Sequence, residues 1–93
     1  MIIGSARMYL QVPWVHSLKE KRMILQSIIK RVRNKFNVSI AEIDYQDIHQ
    51  SIGLGIACVC NEAKYANTII QNVVAFIENN TEALVEDVEI EIL

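Results

Sequence analysis

The chain has 93 residues, 52% hydrophobic and 22% charged, with a formal net charge of −2. That length accommodates one domain with one core and no second. No apolar run approaches the ~20 residues of a membrane span. The opening MIIGSARMYL has neither the basic segment, the apolar stretch nor the cleavage site of an export signal, so a cytoplasmic, reducing environment is expected.

The charges are unevenly placed. Residues 17–36 hold seven of the nine basic residues (Lys19, Lys21, Arg22, Lys30, Arg31, Arg33, Lys35) against one acid, Glu20. The remainder is strongly acidic, and from Glu78 onward there are six acids and no base. This asymmetry carries more information than the net charge.

Alternation over residues 2–12 predicts a first strand, with Ile2, Ala6, Met8, Leu10 and Val12 on one side and Ile3, Ser5, Arg7, Tyr9 and Gln11 on the other. Pro13 ends it. Ser17-Leu18-Lys19-Glu20 fits a capping box, opening a helix over about 18–36 that buries Leu18, Ile24, Leu25, Ile28, Ile29, Val32 and Phe36. Phe36-Asn37 closes it, with the asparagine expected in a left-handed cap. Residues 38–45 form a second strand whose alternation slips near Glu42, predicting a bulge or early fraying. Gln46–Gln50 make a hairpin loop, and residues 51–60 a third strand with Ile52, Leu54, Ile56 and Cys58 inward. Cys58 and Cys60 are expected on opposite sides of that strand, each acting as a small hydrophobe and neither bridging the other nor sharing a metal. A second helix over about 62–78 buries Ala66, Ile69, Ile70, Val73 and Ile77, and a fourth strand follows over 84–92.

That order predicts an α+β, ferredoxin-like β-α-β-β-α-β sandwich: a four-stranded antiparallel-type sheet with both helices on one face and strands 1 and 3 central. The strand 1–helix 1, strand 2–strand 3 and helix 2–strand 4 loops then share one end. The open sheet face, with Ile3, Tyr9, Ile43, Tyr45, Ala57, Val59 and two glycines, is apolar enough to predict a homodimer through it.

The basic helix is the main functional candidate. Lys19, Arg22, Lys30 and Arg33 fall within about 80° of the helical wheel, with Gln26 among them. With Lys21 and Arg31 they predict a nucleic-acid-binding surface, where affinity comes from counterion release; a solvated face or an intersubunit contact with the acidic fourth strand is the alternative. A second candidate is a small-anion or nucleotide-phosphate pocket at the helix N-terminus, formed by Trp14, His16, Ser17, Asp44, Asp47 and His49. Against it stands a structural network in which Asp44 or Asp47 pairs with Lys21 or Arg22. Neither histidine has a companion at ligand spacing, so no metal is expected. No nucleophile motif or phosphate loop occurs: Gly53-Leu54-Gly55 lies inside a strand and opens no helix. No catalytic residue, cofactor or enzymatic activity is expected.

Taken in order, SLKEKR (17–22), RNKFNVSIAE (33–42) and DYQDIHQ (44–50) resemble the YlxP-like family of small bacterial domains of unknown function over essentially the whole chain. The resemblance implies a ferredoxin-like fold and a bacterial cytosolic origin. Genes for such proteins lie near those for translation initiation and ribosome maturation, including ribosome-binding factor A, which implies ribosomal RNA or the ribosome as partner. The matching positions are Ser17 through Arg22 and Asp44, Gln46, Asp47 and Gln50. His49 and Ser51 stand where the family pattern has tryptophan and arginine.

Overall fold

The computed structural model describes residues 1–93. Six elements follow in the expected order: β1 (Ile2–Gln11), α1 (Leu18–Lys35), β2 (Ser39–Asp44), β3 (Ser51–Cys60), α2 (Ala63–Asn79) and β4 (Leu84–Ile92). They form one sheet in the order β2-β3-β1-β4, antiparallel at every pairing. This is the α+β ferredoxin-like arrangement. No helix is long and apolar enough to cross a membrane.

The strand patterns dictate where the core lies. Ala6, Met8 and Leu10 of β1 and Ile52, Leu54, Ile56 and Cys58 of β3 point to the helix-covered side and are buried there. Leu25, Ile28, Ile29 and Val32 of α1 and Ala66, Ile70, Val73, Val74 and Ile77 of α2 close over them, giving one continuous cluster of 20 buried residues. Burial of this apolar surface supplies the main driving force, at about 25 cal/mol per Å². α2 presses so close to β1 that a Cβ on Gly4 would lie 2.9 Å from Ile70 Cγ1 and 3.1 Å from the Ala66 carbonyl oxygen.

Two local expectations are corrected and one is borne out. Cys58 and Cys60 lie on the same face, because strand side chains alternate and residues two apart share a side; Cys58 is buried, Cys60 half-buried, and both thiols are free. Burial pushes the Cys58 thiol upward, with its Cys60 neighbour adding to the shift. Asn37 does not adopt a left-handed cap: Phe36 is the C-cap with extended backbone, and the chain runs directly towards β2. Tyr45 is instead the one non-glycine residue with positive φ, at 60°. The slip in β2 is real, as a register shift between Glu42 and Asp44.

Candidate nucleic-acid interface

The loops after β1 and β2 meet at one end of the sheet, and Lys21 joins them. Lys21 lies on the buried side of α1 and is 0% exposed. Its ammonium has three protons to donate. The three shortest contacts are the Tyr45 carbonyl at 2.7 Å, the Ile48 carbonyl at 2.8 Å and Glu42 Oε2 at 2.9 Å. The Ser51 and Gln46 carbonyls stand further off at 3.3 and 3.5 Å. Glu42 Oε2 is buried and has no hydrogen-bond partner, so its compensation is the ion pair with Lys21. A buried charge needs this degree of compensation. The left-handed turn at Tyr45 helps shape the loop that surrounds the ammonium with carbonyl oxygens. Gln50 adds a second tie, its amide donating to the Pro13 carbonyl at 3.1 Å and the Val15 carbonyl at 3.4 Å.

This corrects the expectation for Lys21. It cannot touch a polyanion or charge an anion pocket, because its protons are committed inside the fold. The expected internal network forms with Glu42 as the partner, in place of Asp44 or Asp47. Asp44 Oδ1 instead accepts from the Tyr45 backbone N–H at 2.9 Å. Ser17 is the N-cap, its hydroxyl accepting from Glu20 N at 3.2 Å, so the first half of the capping box forms. Trp14, His16 and Asp47 are exposed around this end and His49 is half-buried, with no mutual hydrogen bonds to bind them into a pocket.

The remaining basic residues of α1 divide into two groups. Lys19, Arg22 and Lys30 are exposed and make no ion pair, since Lys21–Glu42 is the only salt bridge in the molecule. They span about 16 Å along the helix at 1.5 Å per residue. The others carry packing duties. Arg31 turns towards α2 and donates to the Asn80 carbonyl at 3.1 Å, helping to cap that helix. Arg33 reaches the outer edge of β2 and donates to the Ile40 carbonyl at 3.2 Å. Lys35 lies over the Phe76 ring, 4.8 Å from its centroid. Arg31 and Arg33 keep exposed surface, but their head groups point to opposite flanks of the helix.

A family model described as a protein of unknown function (DUF503) matches residues 3–90. The chain belongs to this family. It is also similar to the uncharacterized protein YlxP of Bacillus subtilis (strain 168), with 51% identity over 63 residues, 68% of each chain. In this DUF503 fold the three stretches that carry the resemblance are brought together, Glu42 of RNKFNVSIAE pairing with Lys21. Lys21, from SLKEKR, is wrapped by carbonyls of Tyr45, Gln46 and Ile48 in and beside DYQDIHQ. Part of each motif therefore has a structural duty; the sequence pointed to an internal pairing for Lys21 but to Asp44 or Asp47, not Glu42, as its partner.

Proposed function

We propose that this DUF503 protein is a non-enzymatic accessory of bacterial translation or ribosome assembly that binds RNA, with ribosomal RNA as its target, through the exposed side of α1. Lys19, Arg22 and Lys30 are the principal phosphate contacts, and Arg33 flanks them. The observation that carries the proposal is the absence of any carboxylate partner for these three cations. An exposed helix usually mixes signs at i,i+4 spacing, whereas here the acids are concentrated in β4, on the other side of the sheet. Unpaired cations in a row suit a phosphate backbone, where each neutralised phosphate releases counterions.

The test is binding of a structured ribosomal RNA fragment by the wild-type chain and by Arg22→Glu/Lys30→Glu. Neither side chain makes an intramolecular hydrogen bond or ion pair, so the variant should melt like the wild type while its RNA affinity falls at least about tenfold, or 1.4 kcal/mol. Equal affinity in both proteins, or no wild-type binding at low salt, would contradict the proposal.

A further inference from the structure

We infer that the open face of the sheet is the contact between two copies of this chain, related by a two-fold axis that runs parallel to the strands. The largest concavity on the molecule is an open trough of about 950 Å³ on this face. Its floor is made of small residues, Ser39, Ala41, Gly55 and Ala57. Ile43 lies directly over Gly55, where a Cβ would come within 2.7 Å of its Cγ2. Around the floor stand apolar groups that the core does not use: Ile43, Tyr45 packed edge-on to Tyr9, Leu93, and Val59, which is 69% exposed.

The occupant is specified by charge. Arg33 forms the rim of the trough on the β2 side and Glu91 the rim on the β4 side. Asp87, Glu89 and Glu91 all project from β4 on the open side, where they register with Tyr9, Arg7 and Ser5. Arg7, the cation near the middle, has Glu89 of its own sheet across from it. A two-fold axis along the strands, midway between β1 and β3, turns the sheet over and reverses its strand order. β2 of one copy then crosses β4 of the other. Each Arg33 faces the partner's acidic strand, and the contact occurs twice, as a closed isologous interface requires. Facing sheets pack about 10 Å apart, within reach of an arginine. The sheet edges are poor alternatives, because Arg33 occupies the Ile40 carbonyl on β2 and carboxylates flank β4.

This face shares only Arg33 with the RNA-binding side of α1 proposed above, so the test is made without RNA. Sedimentation equilibrium should show the wild type as a dimer, twice the 10.6 kDa of the chain. Arg33→Glu and Asp87→Arg/Glu91→Arg should each weaken association by at least about tenfold by placing like charges opposite one another. Mixing the two variants should restore a dimer, since each reversed site then meets its complement. Because Arg33→Glu also loses the Ile40 hydrogen bond, Ala57→Arg serves as a second variant: it fills the trough floor and should be monomeric while folded. A wild type that stays monomeric at high micromolar concentration would overturn the inference and leave the face to a different partner. Variants that associate like the wild type, a mixture that fails to pair, or an open-ended series of oligomers would each overturn it as well.

Discussion

Lys21 and Glu42 both occupy positions that the apolar patterns reserve for hydrophobes. Lys21 falls in the run Leu18, Lys21, Leu25, Ile28, Val32, the three- and four-residue spacing of the buried face of α1. Glu42 falls two residues after buried Ile40, on the core side of β2. Each alone looks like a break in a pattern; together, with opposite charge, they are the signature of a buried pair. Removing one partner strands the other, so Lys21→Ala should lower the unfolding free energy by about 3–5 kcal/mol. The exposed Lys19→Ala should change it by less than about 0.5 kcal/mol. Urea denaturation of both variants checks this, and a Lys21→Ala protein as stable as the wild type would mean that the latch contributes little.

At the level of elements, hydrophobic periodicity made the fold legible. All six elements form as expected, with boundaries shifted by a residue or so at β1, at both helices and at β2. Losses came where local chemistry gave way to chain path or to a distant partner. Phe36 leaves α1 in extended backbone because β2 begins three residues later, which removed the need for a left-handed Asn37. Arg31 and Arg33 share a helix with Lys30, but the end of α2 and the edge of β2 draw them aside, and no helical wheel contains those partners. The α1 cap was readable because it is local. Ser17→Ala should cost about 1 kcal/mol, seen as a lowered melting temperature. An unchanged melt would show that the latch alone sets the start of the helix.

Across the whole molecule the charge separates laterally. The basic helix lies against the β2 side of the sheet, and the acidic strand β4 forms the opposite edge. A polyanion is drawn to one flank and repelled from the other, so docking should be oriented. The most direct measurement is the salt dependence of ribosomal RNA binding, between about 50 and about 200 mM salt. It should be made for the wild type and for Lys19→Ala, Arg22→Ala and Lys30→Ala. A steep wild-type slope is expected, falling by about one for each cation removed. A flat slope, or one that none of the three substitutions alters, would contradict that expectation.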